Sequence, residues 1–513
     1  MSERRAKIVA TVGPASAEPR ILRALLRAGV DVVRLNLSHG APEIHRRTIA
    51  AVREAAGAIG KEVPILLDLM GPRFRLAELA GGPRMLRRGE RVALGPASAG
   101  VELPIDDPEF LRHLRRGERV LIDNGLVELE VESKRGRMVH ARVLFGGAVS
   151  TRKGINLPDT SIPFSISPKD RADLAMAVEE RADFIAASYV AAASDLHALR
   201  QALRELGDEI PLIAKLERAA AVSRSDRHDR IAELVEAADA VMVARGDLGV
   251  EVELARVPVL QKEIVAAGRR AGKPVIVATQ MLESMMERPR PTRAEASDVA
   301  NAVFDGADAL MLSGETAAGR FPVEAVRTMA RIIGRAEAYR QAAAAEDSAA
   351  SGERHLDVPT SGPERGAQAS ALAVADVVAA AAVHAARRLP GSRIVAFSQG
   401  GFTARRVARY RPTSPAIVYS TDSRVARRMQ LLWGVRPLQV EPPSAGLAAR
   451  TEELIAQIES DLLRRRLVAP GEALVLLMGA PMRDRPLTNM VRIHVVRPRP
   501  VRRPTRRDAG RTG

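Results

Sequence analysis

At 513 residues the chain exceeds what one hydrophobic core supports, and its 46% hydrophobic and 27% charged content suits a soluble globular protein of two to four domains. The absence of Cys excludes disulfides, cysteine-ligated zinc and a thiol nucleophile, and fits a reducing, cytoplasmic setting. A formal charge of +16 raises the question of nucleic acid, but 3% aromatics are too few to stack single-stranded bases, so anionic substrates explain the charge more simply than specific nucleic-acid recognition.

The first residues lead straight into the strand-like Ile8-Val9-Ala10-Thr11-Val12 without an apolar signal core. No apolar run approaches membrane-spanning length, so no membrane association is expected. Strand-like and helix-like stretches then alternate. Strands are expected over 7–12, 31–37, 64–69, 183–189, 211–216, 240–243, 274–279 and 309–312. Amphipathic helices are expected over 19–28, 43–58, 168–180, 194–206, 229–237, 258–271 and 292–304. Eight strands alternating with helices predict an α/β fold, a parallel (β/α)8 TIM barrel.

Between Arg75 and Ser150 the rhythm changes to short alternating strands with Gly and Pro turns, over 119–125, 126–132 and 138–144. This reads as a small β-barrel lid domain inserted after the third barrel strand. Residues 344–365, rich in Ala, Ser, Gly and Glu, read as a linker or surface loop. A C-terminal α/β domain follows, with a helix over 367–389 and strands over 393–397, 416–419 and 473–478. The stretch from Arg497 onward is Pro- and Arg-rich, cannot build a packed core and reads as a disordered basic tail. The expected division is therefore barrel 1–75 and 151–343, lid 76–150, linker 344–365, C-terminal domain 366–496 and tail 497–513. No short-period internal repeat stands out.

In such a barrel, chemistry gathers where the carboxyl ends of the strands meet. The second strand ends in Arg34-Leu-Asn36-Leu-Ser38-His39, whose period-two spacing sends Arg34, Asn36 and Ser38 to one side. The third ends in Asp68, the fifth in Lys215-Leu-Glu217, the sixth in Arg245-Gly246-Asp247, the seventh in Thr279-Gln280 and the eighth in Ser313-Gly-Glu315. Each has a plain alternative. Lys215 can snorkel from a strand end, Asp68 can cap a turn, Asn36 or Thr279 can be a satisfied core polar group, and His39 can be a loop hydrogen-bonder. Six strands ending together in convergent polar groups would, however, bury many charges at considerable cost without a shared purpose.

Gly246 lets the backbone approach a ligand closely, and Asp247 offers hard oxygens to a divalent cation. Glu217 and Asp247 together suit Mg²⁺ or Mn²⁺, which takes its remaining ligands from substrate and water. Lys215 and Arg34 add positive charge beside that metal. The set suits an anionic, phosphorylated substrate whose transferring group gains charge in the transition state. No G-x-x-x-x-G-K-[ST] loop is present, so phosphate would be held by side chains and metal.

These residues resemble the pyruvate kinase family over nearly the whole chain. The carrying segments are Lys7-Ile-Val-Ala-Thr-Val-Gly-Pro-Ala-Ser16, Arg34-Leu-Asn-Leu-Ser-His-Gly40, Lys153-Gly-Ile-Asn-Leu-Pro158 and Met242-Val-Ala-Arg-Gly-Asp-Leu-Gly249. Further on stand Ala278-Thr-Gln-Met-Leu-Glu-Ser-Met285, Pro291-Thr-Arg-Ala-Glu-Ala-Ser-Asp-Val-Ala-Asn301 and Leu312-Ser-Gly-Glu-Thr-Ala317. The resemblance implies phosphoryl transfer from phosphoenolpyruvate to ADP, giving pyruvate and ATP, the last step of glycolysis. It implies that Lys215 neutralises the transferring group and the enolate oxygen, and that Glu217 and Asp247 hold the divalent metal. The backbone at Gly246-Asp247 would receive the substrate carboxylate. Thr279 would assist protonation of the enolate through water near Ser313. Arg34 would bridge the phosphates, with Arg75 and His39 on the nucleotide side, and Asn36, Ser38, Asp68 and Leu69 at a monovalent-cation site. The lid would close over the site, and the family expectation is a homotetramer with a regulatory C-terminal domain.

The departures are specific. The family's Asp-Thr-Lys-Gly-Pro-Glu-Ile-Arg reads here Asp68-Leu-Met-Gly-Pro-Arg73-Phe-Arg75. The resemblance to a potassium-independent class implies weak or absent K⁺ dependence, with the Arg73 guanidinium near Asn36, Ser38 and Asp68 supplying the charge. Ala191-Ala192 stand where Arg-Lys is usual, Arg218-Ala-Ala-Ala where Asn-x-x-Gly is usual, and Asp123-Asn124-Gly125 where Asp-Asp-Gly is usual. The lysine and metal carboxylates are intact, which favours an active enzyme over a silent metabolite-sensing paralogue, and the lid and C-terminal domain argue against a simple lyase barrel. Ser398-Gln-Gly-Gly-Phe-Thr403 is either a receptor loop for a phosphorylated allosteric effector or a structural strand-to-helix turn.

Overall fold

The computed structural model describes residues 4–225, 228–351, 367–442, 451–479 and 488–497. The chain divides into two compact units, one reaching to residue 352 and including Gln430–Trp433, the other formed by the remainder. In the first, eight parallel strands close a barrel: Lys7–Thr11, Val32–Asn36, Ile65–Asp68, Phe184–Ala187, Leu212–Leu216, Ala240–Ala244, Val275–Ala278 and Ala309–Leu312. Each pairs with its neighbours in sequence, and the eighth returns to the first with Lys7 opposite Ala309.

The unbroken apolar character of these strands follows from burial on both faces. Val9, Val32, Leu66, Phe184, Ile213, Met242, Ile276 and Met311 fill the barrel interior together with Leu431. Alternate residues such as Ile8, Val33, Val241 and Leu310 point outward against the helices. Five expected strands end early, the first, second, third and seventh by one residue and the fourth by two. The fourth stops at Ala187 and the seventh at Ala278, because Tyr189 and Thr279 turn into the left-handed region with φ of 60° and 68°.

At the opposite end of the barrel four aspartates clasp the strands in pairs. Asp31, Asp183, Asp239 and Asp308 each precede an even-numbered strand. Their carboxylates accept from the backbone N–H of Ile8, Ile65, Leu212 and Val275, at 2.8, 2.9, 2.9 and 3.0 Å. Their own N–H groups donate back to the carbonyls of those same four residues. Each clasp satisfies a strand-end donor that the parallel ladder leaves open. Asp183 is 1% exposed, so Asp183→Ala would leave the Ile65 N–H buried and unpaired. A loss of about 1–3 kcal/mol is expected, measured as a lowered melting temperature with little change in turnover.

The inserted domain is a seven-stranded sheet in the order Phe74–Arg75, Gly154–Asn156, Arg119–Ile122, Val127–Arg135, Met138–Phe145, Arg91–Pro96 and Leu103–Ile105. A bridge from Leu76 to Ile105 joins its two edges, around a separate core that includes Leu94, Val120, Leu129 and Val139. The sheet begins at Phe74 and ends at Asn156, outside the expected 76–150.

The helix Pro322–Ser351 runs through the first part of the expected linker 344–365, whose remainder lies outside the described residues. The second unit holds a five-stranded sheet in the order Val435–Gln439, Ala416–Ser420, Arg393–Phe397, Ala473–Met478 and Met490–Val495, with only the last strand antiparallel. The expected basic tail lies outside the described residues beyond Arg497. Among the described residues, no helix is long and apolar enough to cross a membrane.

Candidate active site

Lys215 lies one residue before the end of the fifth strand and is 11% exposed. Its Nζ donates to Ser188 Oγ at 2.7 Å and lies 3.0 Å from Glu217 Oε2 and 3.3 Å from Asp68 Oδ1. Burial works against its charge, but Asp68 and Glu217 outweigh it and hold the ammonium above the usual lysine range. Asp68 shares its two oxygens between cations. Oδ2 accepts from Arg34 Nε at 2.7 Å, and Arg34 Nη1 donates to Thr11 Oγ1 at 2.9 Å. Burial opposes ionisation of Asp68, yet Lys215 and Arg34 keep its carboxyl below the usual carboxylate range.

Glu217 is fully buried, with Oε1 accepting from the Tyr189 N–H at 2.6 Å. Burial pushes its carboxyl up to about 7, against the opposing pull of Lys215, and the nearby Asp247 adds to the rise. Its Oε2 has no hydrogen-bond partner, since the contact with Lys215 is close but poorly aligned. A buried, unsatisfied carboxylate oxygen beside a second carboxylate is a demand for a cation, and hard oxygen donors fit Mg²⁺ or Mn²⁺. No group of three or more His, Cys, Asp or Glu side chains suited to a metal occurs among the described residues.

Two other charged strand ends serve the backbone instead. Arg245 Nη1 pairs with Asp298 at 2.7 Å, and its Nη2 donates to the Thr279 carbonyl at 2.6 Å. Arg245 thus holds the turn in which Thr279 and Gln280 are both left-handed, a strained state for a β-branched residue. Glu315 accepts from the N–H groups of Leu282 and Ser313 at 3.0 and 2.7 Å. Thr279 Oγ1 donates to the Ala278 carbonyl at 2.6 Å and accepts from the Gly246 N–H at 2.7 Å. The Gly246 amide, expected to face a substrate carboxylate, is therefore engaged by Thr279. Ser313 Oγ is buried without a partner.

Residues 3–326 match the family described as pyruvate kinase, barrel domain, and residues 376–494 match pyruvate kinase, alpha/beta domain. The chain belongs to the pyruvate kinase family. It is 39% identical over 502 residues to the pyruvate kinase of Geobacillus stearothermophilus, covering 96% of this chain and 81% of that one. It is 38% identical over 495 residues to that of Mycobacterium tuberculosis, covering 96% and 98%, and 36% identical over 504 residues to that of Sporosarcina psychrophila, covering 96% and 80%.

Against the family pattern, the position of Arg73 corrects the sequence expectation. Its Nε donates to the Tyr189 phenol oxygen at 3.1 Å and its Nη2 stands 3.5 Å from Asp247 Oδ1, a long contact at the limit of a hydrogen bond, rather than bonding Asn36, Ser38 or Asp68. The reason is that Asp68 is already shared between Arg34 and Lys215. Asn36 Oδ1 instead accepts from the Ser38 N–H at 3.2 Å. Leu69 has its side chain in the apolar core, and its carbonyl accepts from Ser188 Oγ at 2.8 Å. His39 is exposed, and partial desolvation of its ring together with the positive charges of Arg73, Arg75 and Arg34 lowers its affinity for a proton. Arg75 Nη1 donates to the Arg152 carbonyl at 3.1 Å on the lid side. The N–H groups of Ala191 and Ala192 donate to Asp195 at 2.8 and 3.0 Å, so this segment starts a helix and offers no cation of its own.

Sequence reasoning missed Ser188 and Tyr189, which hold Lys215 and Glu217 respectively. The signal was available: they stand at the carboxyl end of the fourth strand, but neither carries a charge.

Proposed function

We propose that this protein transfers a phosphoryl group from phosphoenolpyruvate to ADP, giving pyruvate and ATP, with Mg²⁺ or Mn²⁺ held by Glu217 and Asp247. The observation that carries this reading is Lys215 Nζ fixed 3.0 Å from the unsatisfied Glu217 oxygen. When bound, the divalent cation supplies neutralisation of phosphate and enolate charge.

The chain's own residues do the rest. As the bond from phosphorus to the enol oxygen breaks and an ADP oxygen takes its place, the Lys215 ammonium stabilises charge on the phosphoryl and enolate oxygens. Arg34, locked by Asp68 and Thr11, spans the phosphates without rotamer cost at the moment of reaction. The Thr279 hydroxyl, with water near the unpartnered Ser313 Oγ, delivers a proton to the enolate carbon. His39 and Arg75 face the nucleotide, and the lid excludes water from the transfer. The substrate carboxylate is assigned to the backbone around Gly246-Asp247, with Thr279 giving up the Gly246 amide when substrate arrives. Chelation is expected to abolish pyruvate formation and added Mg²⁺ or Mn²⁺ to restore it; folded protein inactive with every divalent ion would contradict the reading.

The protein is proposed to be cytoplasmic and homotetrameric, with the 398–403 loop accepting the phosphate of an effector. Its K⁺ dependence is proposed to be weak or absent, since Arg73, although it bonds Tyr189 and Asp247 rather than Asn36, Ser38 or Asp68, brings a positive charge of its own into the site. Arg73→Glu should then acquire a K⁺ response in steady-state assays. A variant that stays indifferent to K⁺ would count against this explanation.

A further inference from the structure

Tyr189 follows the fourth strand with φ of 60°, a conformation that bulky side chains seldom adopt. Such strain persists only where the surroundings over-determine it, and it concentrates at functional sites. The contacts of Tyr189 show what the turn achieves. Its N–H donates to Glu217 Oε1 at 2.6 Å. Its phenol oxygen accepts from Arg73 Nε at 3.1 Å, and its ring lies 5.9 Å from the guanidinium carbon. The same guanidinium reaches Asp247 Oδ1 at 3.5 Å. One residue thus touches one metal carboxylate through its backbone and the other through Arg73.

Arg73 is a third exposed and stands just before the lid strand Phe74–Arg75, where an untethered side chain would spread over many rotamers. A planar ring with one acceptor at its edge leaves the guanidinium few orientations. From this geometry we infer that Tyr189 is a positioning residue that holds the Arg73 guanidinium at a distance from Asp247, so that the carboxylate stays open to the divalent cation. The inference rests on the metal role given to Asp247 above. Without the phenol acceptor, Asp247 is the remaining partner of Arg73, and the guanidinium closes on it in competition with the metal.

The test is a double-mutant cycle of Tyr189→Phe and Arg73→Met, read first by Mn²⁺ binding without substrates, from the loss of the free-ion electron paramagnetic resonance signal. Tyr189→Phe keeps the ring and the turn and removes only the hydroxyl. It should weaken Mn²⁺ binding by about threefold to tenfold, the range of one charge-assisted hydrogen bond partly screened by solvent. Arg73→Met should tighten Mn²⁺ binding, and Tyr189→Phe should have no further effect in that background. The same cycle in kcat/KM should show the two substitutions coupled. Additive effects in Mn²⁺ binding, or no effect of Tyr189→Phe with Arg73 present, would overturn the inference. Because Mn²⁺ binding needs no turnover, this failure is separable from failure of the kinase reading; melting temperatures close to wild type show that the variants fold.

Discussion

Lys215→Met is expected to lower turnover by about three orders of magnitude or more while Mn²⁺ still binds. Methionine keeps the unbranched side chain to within one atom of its length and removes the charge. The ammonium is held by Ser188, Asp68 and Glu217 in the structure, so its position needs no rearrangement when the phosphoryl group loosens. Such preorganised charge acts in the transition state more than in the ground state, so the loss should fall on kcat rather than on KM. Metal binding should survive, because Glu217 and Asp247 remain and a competing cation has gone. Single-turnover measurements with phosphoenolpyruvate and ADP separate these effects. A variant retaining more than about a tenth of wild-type kcat would remove Lys215 from the central role.

Asp68→Ala should be costly to both fold and activity. Its carboxylate is 1% exposed and divides its oxygens between Arg34 and Lys215. Removing it leaves two largely buried cations without their shared anion, a loss of about 3–5 kcal/mol. Both side chains would also lose their fixed positions, which can cost about a hundredfold in rate even when the charges remain. Thermal melts and kcat together read the two losses. The acid side gives an independent check. The folded carboxyl lies below its ordinary value, so its contribution is complete above the unfolded value and disappears as pH falls through the folded one. Asp68→Asn should therefore lose stability at neutral pH and lose less than wild type on further acidification. An Asp68→Ala protein with wild-type melting temperature and turnover would contradict the bridging role.

The barrel was legible because strands buried on both faces appear as unbroken apolar runs such as Ala240–Ala244. What the pattern concealed were the ends. Tyr189 and Thr279 have ordinary strand propensity, and only the tertiary structure shows that they turn left-handed around the site. The lid was harder, since Phe74–Arg75, Arg84–Leu86 and Gly154–Asn156 are too short to carry any periodicity. In the second unit Val435–Gln439 and Met490–Val495 went unrecognised. Both are edge strands, where Pro437 and the exposed Val491, Ile493 and Val495 blur the usual apolar signature. The four aspartate clasps do have a sequence trace, Val-Asp or Ala-Asp before each even strand, but its meaning depends on knowing which strands pair.

The strand-end rule brought Lys215, Glu217 and Asp247 into view, yet it cannot sort charges that face the site from those that hold its walls. Arg245 and Glu315 obey the same rule and are spent on the backbone of the Thr279 and Ser313 turns. Arg73 shows the complementary limit. Its charge was visible in sequence, but its partner depended on Asp68 being already occupied. Ser188 and Tyr189 hold Lys215 and Glu217 through a hydroxyl and a backbone N–H, so a pattern of charged strand ends does not mark them.

The most direct measurement follows phosphorus itself, by ³¹P nuclear magnetic resonance of phosphoenolpyruvate and ADP with the protein and Mg²⁺ in a sodium buffer free of potassium. The account predicts loss of the phosphoenolpyruvate resonance matched by growth of the γ-phosphate resonance of ATP, with pyruvate formed in equal amount. Release of inorganic phosphate in place of ATP, or no reaction from folded protein in sodium or in potassium, would contradict it.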